Sequence, residues 1–376
     1  MTGSTITYLG GPIFDGHTLR AGLAARFWDG QLVELGPESE INLDNSVVNL
    51  DGDFLSPGYV DLQVNGGDGI MFNDDPSVAT LRRIAAAHRR LGATSILPTL
   101  ITDTAEKTRA AIDAAVAALA AGVPGIAGLH LEGPHLSIAR KGAHDAELIR
   151  KMETKDLEAL LAAARKLPAL KVTVAPENTS LEQVTALSRA GVIVSLGHTD
   201  AGFETCVAYA KAGARCATHL FNAMSQLGNR EPGLVGAVLA SGSLSAGLIA
   251  DAIHVHPETM RAAWAAKTGP GTIFLVSDAM AVAGTDMTKF QLEGRAIRRK
   301  NGRLTLEDGT LAGADLDLTT AIRTLSTRAG VDLEQAMRAA TSIPGALIGK
   351  RVELSTHHGV PLSDVIRISA DLRVIK

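Results

Sequence analysis

The chain has 376 residues, room for one large domain and an appendage. Hydrophobic residues make up 46% but aromatic residues only 3%, so the core must be filled by Ala, Val, Leu and Ile, and stacking on nucleic-acid bases is not expected. Lys+Arg 36 against Asp+Glu 40 leaves a formal charge of -4 with no basic run to neutralise a phosphate backbone, so nucleic acid is not an expected partner.

The amino terminus, MTGSTITYLGG, has neither a positive region nor a long apolar one. No window reaches the roughly 18 uninterrupted apolar residues of a membrane span, which predicts a cytoplasmic protein with no membrane partner. Short apolar runs then alternate with turn signals: Thr5 to Leu9, Asp15-Gly16, Leu23 to Trp28, Asp29-Gly30 and Gln31 to Leu35. From Ser56-Pro57-Gly58 the pattern changes to β-rich runs separated by segments of helical period. Candidate strands are Tyr59 to Val64, Thr94 to Leu97, Ile126 to Leu131, Leu170 to Val174, Val192 to Leu196, Cys216 to Leu220, Gly247 to Ala250 and Thr272 to Val276. Between them, Leu81, Ile84, Ala85 and His88 share one helical stripe, and Ser180-x-x-Gln183 reads as a capping box. Gly122, Gly191 and Gly213 stand where helices should stop. The two cysteines, Cys206 and Cys216, fall in a helix and a strand and cannot form a disulfide framework, which fits a reducing compartment.

Eight strands alternating with helices predict an α/β fold, a (β/α)8 TIM-type barrel, with an open doubly wound sheet as the alternative. After the eighth strand, Ala296 to Lys300 and Arg303 to Leu306 flank Asn301-Gly302, a two-residue hairpin signal. Val365 to Ile368 and Leu372 to Ile375 look strand-like again. We therefore expect residues 1–56 plus 346–376 to form a small β-sandwich domain and 57–345 the barrel.

Catalytic groups of such barrels lie at the carboxyl ends of the strands. Here the third strand ends in His130-Leu131-Glu132, the fifth in Gly197-His198-Thr199, the sixth in Thr218-His219, the seventh in Asp251-Ala252-Ile253-His254 and the eighth in Ser277-Asp278. One strand-end histidine alone is more often a hydrogen-bonded structural residue, but four polar coincidences at four strand ends point to chemistry. Glu132, His198 and His219 offer the carboxylate and two imidazoles that a catalytic zinc ion uses, with a position left for water. A divalent ion brings the pKa of such a water to about 7, and Asp278 could accept its proton and return it to a leaving amine. His88 reads as a packed helix residue, and His357 and His358 as solvated turn residues of the tail. His130 shares a strand face with Glu132, which suits support of the site as well as it suits packing.

The runs Ser56-Pro57-Gly58-Tyr59-Val60-Asp61, Leu129-His130-Leu131-Glu132-Gly133-Pro134, Ala175-Pro176-Glu177, Gly197-His198-Thr199, Thr218-His219-Leu220-Phe221-Asn222-Ala223-Met224 and Arg230-Glu231-Pro232-Gly233 resemble the N-acetylglucosamine-6-phosphate deacetylase family of the amidohydrolase superfamily. The resemblance spans nearly the whole chain. It implies hydrolysis of the acetamide of N-acetylglucosamine 6-phosphate to glucosamine 6-phosphate and acetate, one divalent ion per subunit, most simply Zn2+, and a homodimer. It implies metal ligation by Glu132, His198 and His219, and acid/base work by Asp278. His144, in Lys141-Gly142-Ala143-His144, matches the histidine that polarises the acetyl carbonyl. Ala143, Asn222, the backbone of Ala223, Arg230 and His254 match positions that hold the sugar phosphate, Arg230 by a fork suited to phosphate oxygens, and Leu311 matches a loop that lines the sugar pocket; in such enzymes the phosphate site can be completed across a subunit boundary. Gln63 and Asn65 stand where many amidohydrolases carry His-x-His; neutral amides replace imidazoles poorly as ligands, so a single ion is expected. An N-acetylgalactosamine-6-phosphate deacetylase and a non-catalytic sugar-phosphate sensor are the alternatives.

Overall fold

The structure is a computed structural model that describes residues 4–375 apart from 42, 44, 45, 357 and 358. The tail histidines His357 and His358 thus lie outside the described residues. One sheet takes eight parallel strands in chain order: Tyr59–Val64, Ala93–Ile101, Leu129–Glu132, Leu170–Val174, Ile193–Leu196, Cys216–Ala217, Ser245–Leu248 and Ile273–Leu275. Its two edges meet, because the Asp278 N–H donates to the Gln63 carbonyl at 3.1 Å and the Asn65 N–H to the Ala279 carbonyl at 2.9 Å. That seam closes the sheet into the expected barrel. Every residue of the strands is buried, since helices cover the outside and side chains fill the inside.

The interior is not wholly apolar. His130 bonds through Nδ1 to Thr99 Oγ1 at 3.1 Å and through Nε2 to Thr173 Oγ1 at 2.8 Å. Thr173 continues to Thr218 at 2.7 Å and Thr218 to Ser195 at 2.7 Å. This row of hydroxyls lets polar side chains sit at full burial, because each finds a partner.

Local signals act as read. The helix Val78–Arg90 buries Leu81, Ile84, Ala85 and His88, and His88 Nε2 lies 2.9 Å from the Gly66 carbonyl, the packed and satisfied histidine expected. At Leu181–Arg189 the capping box forms in both directions, Gln183 N–H to Ser180 Oγ at 3.3 Å and Ser180 N–H to Gln183 Oε1 at 2.8 Å. Cys206 and Cys216 are buried and unbonded to each other.

Several readings of extent change, among them the third and seventh strands, which run Leu129–Glu132 and Ser245–Leu248. The second strand runs to Ile101 rather than stopping at Leu97, because its register shifts between Ile96 and Pro98 and the irregularity accommodates the proline. The sixth ends at Ala217, since His219 adopts a left-handed φ of 33° that no ladder tolerates. The Asn301-Gly302 hairpin pairs Arg295–Lys300 with Arg303–Thr305 as expected, but a third strand, Lys289–Leu292, joins it.

Both chain ends build a two-sheet sandwich beside the barrel. Its four-stranded sheet is Gln31–Pro37, Leu23–Trp28, Thr5–Leu9 and Val47–Asn49. The five-stranded sheet pairs Val365–Ile368 antiparallel with Phe54–Pro57, tying the tail to the segment that enters the barrel. Phe27, Leu32, Leu50 and Leu55 fill the space between the sheets.

Leu196 is fully buried in the fifth barrel strand. Leu196→Ala should lower unfolding free energy by about 2–5 kcal/mol, against about 1 kcal/mol for Ser180→Ala at the cap. Guanidinium unfolding midpoints of the two variants check that order.

Candidate active site

Glu132 is the last residue of the third barrel strand, whereas His198, His219 and Asp278 follow the fifth, sixth and eighth by two or three residues. All three take left-handed backbone, with φ of 48°, 33° and 50°. Leaving a strand this way swings the side chain over the barrel mouth, at a cost of about 1–3 kcal/mol per residue that the surrounding packing must offset. His and Asp are among the side chains that tolerate the conformation best.

The geometry of the first three is that of a cation site. His198 Nδ1 lies 2.8 Å from the Arg140 carbonyl and His219 Nδ1 lies 3.2 Å from the Asn222 carbonyl. A carbonyl only accepts, so each Nδ1 carries a proton and each Nε2 offers a lone pair. Those two Nε2 atoms are 3.1 Å apart, and they stand 3.3 and 3.1 Å from Glu132 Oε1. Three buried acceptors facing one another repel unless a proton or a metal ion lies between them. Burial pushes the Glu132 carboxyl up, but the bonds and charge from His198 and His219 outweigh it and hold it well below its usual range. Burial lowers the His219 imidazole, but the bond to Glu132 and the charges of Glu132 and Asp278 together raise it by more. Among the described residues this is the one group of three His, Cys, Asp or Glu side chains placed to share an ion. Two nitrogens and one carboxylate oxygen fit a divalent metal.

Asp278 stands beside this group. Asn65 Nδ2 donates to its Oδ1 at 2.7 Å, and Gln63 Nε2 at 3.1 Å while also reaching both Glu132 oxygens at 3.2 Å. Gln63 therefore bridges Glu132 and Asp278, while Asn65 reaches Asp278 alone. Burial, then the Glu132 carboxylate, raises the Asp278 carboxyl above its ordinary value. His144 packs edge-on against His198, ring centroids 4.4 Å apart, and burial, then the cationic influence of His198, holds it well below the usual imidazole range. A cavity of about 390 Å³ opens over these groups.

The family model for amidohydrolases matches residues 54–354. An N-acetylgalactosamine-6-phosphate deacetylase of a Shewanella species is 41% identical over 90% of this chain and 84% of its own. An N-acetylglucosamine-6-phosphate deacetylase of Haemophilus influenzae is 34% identical over 85% of this chain and 84% of its own. The chain belongs to the amidohydrolase family. It is a hydrolytic enzyme, as its sequence resemblance implied. The crystal structure of N-acetylglucosamine-6-phosphate deacetylase from Pasteurella multocida superimposes with a TM-score of 0.91 at 30% identity, covering 99% of this amidohydrolase and 97% of that chain.

The sequence-read contacts divide. Ala143, Asn222, Ala223, His254 and Leu311 line the cavity with Glu132, His198 and His219, whereas Arg230 is exposed and absent from the wall. His254 is held by Asp251, whose Oδ2 lies 2.6 Å from Nδ1 while its Oδ1 accepts the N–H groups of Ile253 and His254 at 2.8 Å. Residues of this amidohydrolase site that escaped the sequence include Thr102, Arg140, Met280 and Arg295. Thr102 Oγ1 lies 2.8 Å from His144 Nδ1, and Arg295 donates to the Ala143 carbonyl at 2.7 Å. Thr102 follows a strand end like the others, but the second strand was read as ending at Leu97. Arg140, Met280 and Arg295 carry no periodicity or motif that would single them out.

Metal analysis should find about one divalent ion per chain, as a three-ligand site requires, and none in His219→Ala of unchanged circular dichroism. The ion should bind more weakly as pH falls into and below the imidazole range, because His219, with its raised pKa, then holds the competing proton. Retention of the ion by His219→Ala would refute the ligand set.

Proposed function

We propose that this amidohydrolase removes the acetyl group of N-acetylglucosamine 6-phosphate, giving glucosamine 6-phosphate and acetate. The observation that carries the reading is the convergence of Glu132 Oε1 and the Nε2 atoms of His198 and His219 on one point, with Asp278 alongside. Those three residues would hold the ion, and zinc suits two imidazoles and a carboxylate. When bound, a divalent ion makes water acidic enough to attack a carbonyl near neutral pH and polarises that carbonyl. Asp278 takes the proton of the attacking water: its Oδ1 is engaged by Asn65 and Gln63, its other oxygen accepts no hydrogen bond from any described residue, and its raised pKa lets it keep the proton until the amine leaves. The same carboxyl then protonates the amine, so one group serves both halves of the reaction. His144 donates to the carbonyl oxygen as negative charge develops on it.

Ala143, Asn222, Ala223, His254 and Leu311 line the space for the sugar phosphate. Arg230, exposed on its own chain, suits the phosphate of a neighbouring subunit, which supports a homodimer. A cytoplasmic enzyme with no membrane or nucleic-acid partner is consistent with the charge balance, and no helix among the described residues is long and apolar enough to cross a membrane. Residues 1–56 plus 346–376 and 57–345 remain the proposed domains, with Phe54–Pro57 carrying the chain from one to the other.

The 41% identity to an N-acetylgalactosamine-6-phosphate deacetylase favours a second reading, the same chemistry on the sugar epimeric at C4. Acetate release from both sugar phosphates by metal-analysed protein separates the two. Asp278→Asn should keep its metal and lose about two orders of magnitude in kcat or more. Equal turnover by variant and wild type would reject the assigned base, and silence on both sugars would reject the reaction.

A further inference from the structure

We infer that Thr102 is a positioning residue that fixes the tautomer of His144, keeping its one proton on Nε2 and so aimed into the cavity. The inference rests on the reaction proposed above for what that proton does, but the tautomer follows from hydrogen bonding alone.

Two groups of Thr102 face His144 Nδ1. The Thr102 backbone N–H points at it from 3.3 Å, and Thr102 Oγ1 lies 2.8 Å away. Oγ1 also lies 3.3 Å from the Glu132 carbonyl. Two proton arrangements are therefore open. If Nδ1 is bare, it accepts both the N–H and the hydroxyl of Thr102. If Nδ1 carries the proton, it donates to Oγ1 and the hydroxyl turns to the Glu132 carbonyl. The second arrangement sets Nδ1–H against the Thr102 N–H and leaves that buried donor with no acceptor. An orphaned buried N–H costs more than a carbonyl with one lone pair unused. The first arrangement wins, and the proton belongs on Nε2.

Both residues are almost fully buried, Thr102 at 1% and His144 at 4% exposure, so water does not compete for these bonds. Nε2 makes no hydrogen bond to any described residue, while His144 lines the cavity. The consequence is a neutral imidazole with a single donor aimed where a carbonyl oxygen would lie. The opposite tautomer would turn a lone pair toward a developing negative charge and oppose the reaction. The main-chain donor of Thr102 is set by the end of the second barrel strand, so tertiary structure and one hydroxyl act together on the ring.

The test has two arms on the full-length, zinc-loaded protein. In the first, histidine is labelled with nitrogen-15 and His144→Gln identifies the ring signals of His144. A pyridine-like Nδ1 and a proton-bearing Nε2 are expected; a proton-bearing Nδ1 overturns the inference. In the second, Thr102→Ala should lower kcat roughly tenfold, the smaller end of losses on removing an outer hydrogen-bond partner, with KM and zinc content unchanged. Thr102→Ser, which keeps the hydroxyl, should restore most of it. An unchanged kcat in Thr102→Ala, equal losses in both variants, or loss of zinc in place of kcat each overturns it, the last by moving the hydroxyl's role to Glu132. If the wild-type protein releases no acetate, the reaction assignment fails while the labelled ring still decides the tautomer.

Discussion

Three lone pairs directed at one another are the constraint on which this molecule turns. The Nε2 atoms of His198 and His219 and Oε1 of Glu132 stand within hydrogen-bond distance of each other, all buried, and both Nδ1 protons are already committed to carbonyls. Only a cation relieves that arrangement. The barrel holds the acceptors together because each is anchored on a different strand, and bringing three strand ends to one rim is what a closed parallel sheet does. Metal affinity is accordingly linked to folding: an ion that binds the native triangle and not the unfolded chain stabilises the native state.

The seam that closes the barrel also carries Asp278, the proposed acid/base group. Asp278 donates its backbone N–H to Gln63, and the side chains of Gln63 and Asn65 return two donors to its carboxylate. Gln63 reaches Glu132 as well, so the proposed metal ligand and the proposed proton acceptor share one amide. An imidazole at either place could act as a further ligand; an amide supplies directed N–H groups. At these two places the amides direct their N–H groups at the Asp278 carboxylate. Left-handed backbone at His198, His219 and Asp278 is the local cost, tolerated because packed strands and helices on every side fix it.

The cavity is walled from beyond the barrel. The three-stranded insert packs Phe290, Leu292, Ile297 and Leu304 against Met71, Ile101 and Met280, and Arg295 at the start of its second strand ties down the Ala143 carbonyl. A hairpin that looks like a surface decoration is thus a side of the pocket, and it steadies the loop that carries His144. That loop is fixed from the other side by Thr102 at the end of the second strand. The electrophile candidate is therefore held by two elements distant in the chain.

Much of this was readable in the order of residues. Apolar runs of β-rich composition between helical stripes call for a parallel sheet covered on both faces, closed or open, and the polar groups where those runs finish mark the carboxyl ends of the strands. Glu132, His198, His219 and Asp278 were visible for that reason, as was the capping box at Ser180. The second strand broke the rule: Pro98 hid its true end, and with it Thr102. Distances between atoms brought together by closure leave no mark on the sequence. That Gln63 touches both Glu132 and Asp278, that Arg140 orients His198 through a carbonyl, and that Arg230 stands outside its own cavity were decided only in three dimensions. A linear pattern specifies which side chains face inward; which of them meet depends on the register, seam and left-handed turns that packing of the whole barrel imposes.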